Sequence, residues 1–215
     1  KIIMKKLLFI FICAMALSTS NASAQALGEG GVSIDAYYGF PNLYNTSFQA
    51  LYSDGNELNL NVGGIGPVGI RAEYMLADKF GIGVDVSFSS AKVGFDFEQS
   101  VYNETTNEFD QVTYSEEVRT SKISAIATFN YHFIDNDKVD FYAMFGAGYK
   151  NRNFAFSSND PAFDEASANL SVTLIPVALR LALGVRYFLT DNIGLSMQLG
   201  FGHSGVLNGG LAFKF

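Results

Sequence analysis

Gly205-Val-Leu-Asn-Gly-Gly-Leu-Ala-Phe-Lys-Phe215 is the stretch on which the reading of this chain turns. Side chains along a strand alternate between two faces. Leu207, Leu211, Phe213 and Phe215 therefore share one side, and Asn208, Gly210, Ala212 and Lys214 share the other. One face is apolar and aromatic, the other small or polar. The same two-faced pattern recurs seven times upstream, and that recurrence predicts the fold class.

The first of these segments carries Val32, Ile34, Ala36, Tyr38 and Phe40 on its apolar face, with Ser33, Asp35 and Tyr37 opposite. The second keeps one parity from Leu58 to Leu76, with Arg71 and Glu73 on the polar side. Pro67 lies inside it and cannot donate to a ladder, so a bulge is expected there. The third runs from Phe80 to Phe88 against Gly81, Asp85 and Ser89; its parity slips near Ala91–Val93, where a second bulge is expected. Four more follow at Ile123–Phe133, Val139–Tyr149, Ile175–Tyr187 and Ile193–Phe201.

The connections alternate in length. Residues 42–57, 98–118 and 157–169 read as long loops, the second of them strongly acidic and open to strands extending into it, whereas the intervening turns are short. Short turns at one end and long loops at the other are the asymmetry of an even-stranded membrane barrel. Three short turns also repeat a pattern: Tyr74-Met-Leu-Ala-Asp78, Tyr131-His-Phe-Ile-Asp135 and Tyr187-Phe-Leu-Thr-Asp191. Each sets an outward tyrosine just before an Asp-centred turn, so Tyr74, Tyr131 and Tyr187 are expected to form an aromatic belt at a membrane interface.

Composition agrees. Charged residues make up 16% of the chain, against roughly 25% in a soluble domain, and there are 21 glycines. A net charge of −7 without a basic patch argues against a nucleic-acid partner. Residues 1–24 read as a signal peptide: Lys5 and Lys6, an apolar run from Leu7 to Leu17, then Ala22-Ser23-Ala24. That run falls short of the about 20 residues that cross a bilayer as a helix. Met4 reads as the natural start, with Lys1–Ile3 an upstream extension. Cys13 lies within the leader, so the mature chain is expected to have neither disulfide nor thiolate metal site.

Residues 25–215 are therefore expected to form one all-β domain, an eight-stranded antiparallel up-and-down transmembrane barrel. A soluble barrel also alternates, but it needs a charged outer face. Here the charges share the Gly/Ser face, and the opposite face is continuous and apolar. In lipid every backbone polar group must be paired, which only a closed barrel achieves with strands.

The leader, the eight amphipathic strands, the Asp-centred turns and the terminal Phe215 together resemble the small outer-membrane β-barrel proteins of Gram-negative bacteria, the porin-like family with its OmpA-barrel, OmpX and OmpW types. The ending marked by Gly210, Phe213 and Phe215 resembles the signal read by the barrel-assembly machinery. The resemblance implies export to the outer membrane, both termini in the periplasm, and a monomer surrounded by outer-membrane lipid and lipopolysaccharide. It also implies loops that meet an extracellular ligand or host surface. Unlike the OmpA type, no peptidoglycan-binding domain follows the strands, so cell-wall anchoring is not implied.

The polar face carries the candidate site. Asp35, Arg71, Glu73, Asp85, Lys122, Asp140, Lys150, Arg180, Arg186 and Lys214 are all expected to point into the lumen. Eight strands enclose a space that side chains can fill, and charges in a dry lumen must be paired. A plugged lumen with a structural and surface-interaction role is the leading expectation. A narrow channel for small solutes, with space left by inward glycines, is the second. A lipid-modifying enzyme is the third. A deacylase of this architecture has His and Ser two residues apart, whereas His203 and Ser204 are adjacent and Gly205 takes the second position. His203 and His132 are accordingly read as turn polarity, and the protein as non-enzymatic. No cofactor or metal is expected. The acidic loop offers oxygen ligands of the kind Ca²⁺ and Mg²⁺ favour, but its spacing matches no calcium loop.

Overall fold

The computed structural model describes residues 27–42, 59–160, 169–171 and 175–215. The leader assigned to residues 1–24, most of the 42–57 connection and most of the 157–169 connection lie outside the described residues.

Ten strands build eight staves: β1 (Val32–Phe40), β2 (Asn59–Gly63) with β3 (Val68–Ala77), β4 (Phe80–Asn103), β5 (Glu108–Asp135), β6 (Val139–Ser158), β7 (Asn169–Ser171) with β8 (Val177–Phe188), β9 (Ile193–Gly202) and β10 (Leu207–Lys214). Each stave pairs antiparallel with the next. β10 returns to β1, from Ser33 opposite Lys214 to Phe40 opposite Leu207, and the sheet closes without an edge. The second stave is interrupted at Gly64–Pro67, where Pro67 has no N–H to give. Gly64 there has a φ of 142° and lies so close to the Ser90 carbonyl that a Cβ would collide with it.

The side chains sort as an inside-out core. Leu181 is 65% exposed and Phe201 75%, whereas Asp35, Asp85, Asp140 and Arg186 are completely buried. A soluble barrel would pay for such a wall in water; lipid stabilises it. The distribution therefore orients the apolar face to hydrocarbon and the polar face to the lumen. Tyr74, Tyr131 and Tyr187 stand on the outer face beside the short turns, and Tyr131 packs against Phe80 and Phe133 at centroid distances of 5.1 and 5.0 Å. The residue after each of these tyrosines turns inward and is buried: Met75, His132 and Phe188. Two of the three hairpins shift register just there, between Met75 and Ala77 and between His132 and Ile134.

Two expectations are corrected. No bulge occurs at Ala91–Val93. β4 stays in register with β5 through this region, Ala91 opposite Thr120 and Val93 opposite Val118. The parity is unbroken, and Ala91 and Val93 are buried on the inward face. The other correction concerns residues 98–118, which are not a loop. β4 and β5 continue as a hairpin to Asn103 opposite Glu108. Among the described residues pairing to β2 reaches Asp96 and pairing to β6 reaches Glu116, with Ser115 still bonded to Asn159, so residues 97–114 run on as a two-stranded ribbon above the barrel. Such a ribbon is marginal alone. Cross-strand rings hold it, Phe97 with Tyr114 at 5.8 Å and Tyr102 with Phe109 at 5.3 Å. Its turn uses Asn107 at a φ of 55°, a left-handed position that asparagine tolerates.

Leu181→Arg should lower the unfolding free energy in lipid vesicles by about 2–4 kcal/mol, the cost of a guanidinium on the lipid face near mid-membrane. Phe109→Arg, at the ribbon tip, should change it by less than about 0.5 kcal/mol. Denaturant titration of the two variants side by side checks both values; equal effects would mean that Leu181 does not face lipid.

Candidate functional site

The lumen is organised around Arg186 on β8. Its five N–H donors form a rigid fork, and the barrel surrounds that fork with carboxylates from three other staves. Nε lies 3.0 Å from Asp35 Oδ1 and Nη2 3.0 Å from Asp35 Oδ2, a side-on bidentate pair. Nη2 also lies 2.7 Å from Glu73 Oε2, and Nη1 2.8 Å from Asp140 Oδ2. The guanidinium sits over the Tyr142 ring at 4.4 Å. Sheet register builds part of this arrangement directly, because Asp140 and Arg186 are cross-strand partners.

Arg71 on β3 forms the next layer. It is flanked in register by Asp35 on β1 and Asp85 on β4. Its Nη2 reaches Asp85 Oδ2 at 2.9 Å and Gln198 Oε1 at 3.1 Å, and Nη1 reaches Asp35 Oδ2 at 3.4 Å. Tyr37 donates to the other oxygen of Asp85 at 2.6 Å, and its ring lies 4.9 Å from the Arg71 guanidinium carbon. Asp35 is thus shared by both arginines, which fuses the two layers.

His132 completes the lower layer. Its Nδ1 is 2.5 Å from Asp140 and its Nε2 2.9 Å from Glu73. Carboxylates accept only, so both ring nitrogens must donate, which is the bonding of an imidazolium. With that charge, Arg71, Arg180, Arg186 and His132 balance Asp35, Glu73, Asp85 and Asp140.

The ten charges expected in the lumen separate into groups. Asp35, Arg71, Glu73, Asp85, Asp140 and Arg186 come together in one buried network. Arg180 stands above it without an ion pair among the described residues; it donates to Gln198 Oε1 at 2.7 Å and to the Gly205 carbonyl. Lys122 and Lys150 lie higher still, near the end of the long connections. Lys214 is at the opposite end, its ammonium 4.5 Å from the Phe188 ring centroid. Reading His132 and His203 as turn polarity is overturned: both are buried in the lumen, His203 with Nε2 3.4 Å from Asp85 Oδ1. Ser204 is buried as well and its hydroxyl donates to the Asn208 amide oxygen at 3.0 Å, so it does not meet the histidine as a nucleophile would.

Tyr37, Tyr142, Gln198 and the two histidines are the partners that charge counting overlooked. Inward parity was the available signal for Tyr37, Tyr142, Gln198 and His132, whereas His203 shares the parity of the outward Phe201 and enters the lumen through the turn after β9. At three of the inward glycines the space is occupied. A Cβ on Gly69 would strike the Tyr37 ring, one on Gly184 the Tyr142 ring, and one on Gly81 the Glu73 carboxylate. Large side chains from neighbouring staves occupy the space that the glycines vacate.

A closed eight-stave barrel with an apolar outer wall and a buried ionic lumen defines a transmembrane β-barrel of the outer-membrane class. The sequence matches the outer membrane protein beta-barrel domain family over residues 9–210, and the chain belongs to that family. No curated protein sequence matches it. Among solved structures it is similar to the outer membrane protein OprG of Pseudomonas aeruginosa, with 12% identity, 88% of this chain and 97% of that one covered, and a TM-score of 0.45. It is also similar to outer membrane protein W of E. coli, with 12% identity, 87% and 99% coverage and a TM-score of 0.41. The N-terminal barrel domain of Pseudomonas aeruginosa OprF aligns at 14% identity, 87% and 99% coverage and a TM-score of 0.39.

Arg186→Met should cost about 3–5 kcal/mol, because it leaves three buried carboxylates facing an uncharged side chain. Lys214→Met removes only a cation–π contact and should cost about 1 kcal/mol or less. Urea unfolding of each variant, followed by the heat-dependent shift in gel mobility, reads the difference. A cost for Arg186→Met no larger than for Lys214→Met would show that the network does not hold the barrel.

Proposed function

We propose that this protein is a non-enzymatic outer-membrane barrel whose lumen is closed by its ionic network and whose work is done at the cell surface. The observation that carries this reading is the enclosure of Arg186: three carboxylates from three staves take four of its five N–H donors in a completely buried layer. No continuous polar path passes such a layer unless the ion pairs break. The apolar wall fits outer-membrane lipid and lipopolysaccharide, and insertion would follow the barrel-assembly machinery. Export through the segment at residues 1–24 belongs to the same proposal.

The surface element is the β4–β5 ribbon. From Val93 to Val118 it has no basic residue, and it carries Asp96, Glu98, Glu104, Glu108, Asp110, Glu116 and Glu117. Val101, Tyr102 and Phe109 are exposed near its tip. An acidic, aromatic-tipped ribbon suits contact with an extracellular ligand or another cell's surface, since scaffolds commonly hold function in their connections.

Refolded full-length protein in a planar bilayer should give no discrete conductance steps, with folding verified by the heat-dependent gel shift. Reproducible steps from folded protein would replace the closed lumen with a channel. Exchanging residues 98–113 for a two-residue turn should leave barrel stability within about 1 kcal/mol, because a lone ribbon contributes little to the core. The same exchange should abolish any adhesion that the full-length protein confers on cells displaying it. Undiminished adhesion would move the contact elsewhere on the surface.

A further inference from the structure

Above the ionic network, at the end of the long connections, the lumen opens into a cavity of about 460 Å³. Small-molecule sites commonly have about 300–1,000 Å³. Lys122, Lys150 and Arg152 line it, and among the described residues no carboxylate does. Lys122 uses one donor, to the His203 carbonyl at 2.8 Å; an ammonium has three. No ion pair joins Lys122 or Lys150 to a described residue. Arg152 lies 6.0 Å from the Phe154 ring. Ser89 and His203 also line the cavity, and Ser89 Oγ and His203 Nδ1 are buried without a hydrogen-bond partner. The floor is shut. Arg180 donates to the carbonyl of Gly205, a lining residue, and His203 directs Nε2 to Asp85 beneath.

Deeper in the barrel Arg71, Arg186 and His132 each meet buried carboxylates. Here Lys122 and Lys150 come together, and neither meets a carboxylate among the described residues. Clustered like charges in a partly buried site are held against their mutual repulsion, and a bound anion relieves it. We propose that this vestibule is a binding site for a small soluble oxyanion, a solute bearing a phosphate or carboxylate group, which enters from the extracellular end and stops at the network. The inference rests on the cavity and its cations, not on whether the lumen conducts or the ribbon adheres.

The test uses the full-length protein in lipopolysaccharide-free micelles, titrated calorimetrically with inorganic phosphate and separately with citrate at constant ionic strength. At least one anion should bind saturably. The double variant Lys122→Gln/Lys150→Gln should weaken it at least tenfold, while Lys138→Gln, at the opposite end of the barrel, should leave it unchanged. A second measurement needs no variant: the saturating anion should slow modification of Lys122 and Lys150 by an amine-reactive reagent, read by mass spectrometry, without slowing that of Lys138. Absence of saturable binding, undiminished binding in the double variant, an equal loss in Lys138→Gln, or lysines left unprotected would each overturn the proposal. So would binding that appears only when lipopolysaccharide is added, which would identify a lipid headgroup at the rim instead.

Discussion

Everything in this barrel depends on the neutralisation of Arg186. Backbone hydrogen bonds tie each stave only to its two neighbours. The side-chain network crosses the lumen instead: one guanidinium on β8 joins Asp35 on β1, Glu73 on β3 and Asp140 on β6, and Asp35 passes the connection on to Arg71. A charge enclosed by eight staves cannot keep a hydration shell, so its alternatives are a partner or removal. The chain takes the first option with four of the five donors, adding the Tyr142 ring as a third kind of contact. The ionic layer thereby acts as an internal cross-link, and it sits against the β1–β10 seam, where closure joins the two most distant parts of the sequence.

Volume is balanced by the same logic. A narrow lumen cannot accept a large side chain on every inward position of adjacent staves, so large and small residues alternate across neighbours. Gly69 admits Tyr37, Gly184 admits Tyr142, and Gly81 admits the Glu73 carboxylate. The glycines are complements to bulky polar neighbours. Tyr142 also brings a hydroxyl to Arg71 and Glu73 a carboxylate to Arg186, while the Tyr37 hydroxyl donates to Asp85, so packing and electrostatics are satisfied by one exchange.

Parity was legible in the sequence because it is a local property. Leu181 and Arg186 could be assigned to opposite faces from spacing alone, and the three Tyr-to-Asp turns were visible as a repeat. Partnership was not legible, because it depends on register and on distance across the lumen. Asp140 meets Arg186 only through the pairing of β6 with β8, and His132 meets Glu73 across residues 59 positions apart. His132 lay on inward parity but beside a turn, which suggested solvent, and His203 lay on the parity of the outward Phe201, so its turn into the lumen had no periodic signal. The slip at Ala91–Val93 misled for a different reason. Near the end of the lumen the inward face no longer has to be polar, so apolar residues changed faces while the strand kept its register. The ribbon beyond was taken for a loop because its carboxylates masked the alternation of Val101, Val112 and Tyr114.

Charge is also zoned along the barrel axis, and the zones stay electrically distinct. The acidic ribbon could in principle neutralise the cations of the vestibule, but its base is already satisfied. Glu117, where the ribbon joins the barrel, meets Arg119 at 2.8 Å and Lys92 at 3.5 Å. Asp96 accepts from the Ser115 hydroxyl at 2.6 Å. Asp110 is seven residues further along β5, about 23 Å at ~3.3 Å per residue. Physiological salt screens exposed charges over about 8 Å. The carboxylates near the tip therefore contribute little field at Lys122 and Lys150, and below them Asp85 is engaged by Arg71 and Tyr37. The vestibule keeps its positive potential between a ribbon that cannot reach it and a network that has no carboxylate to spare.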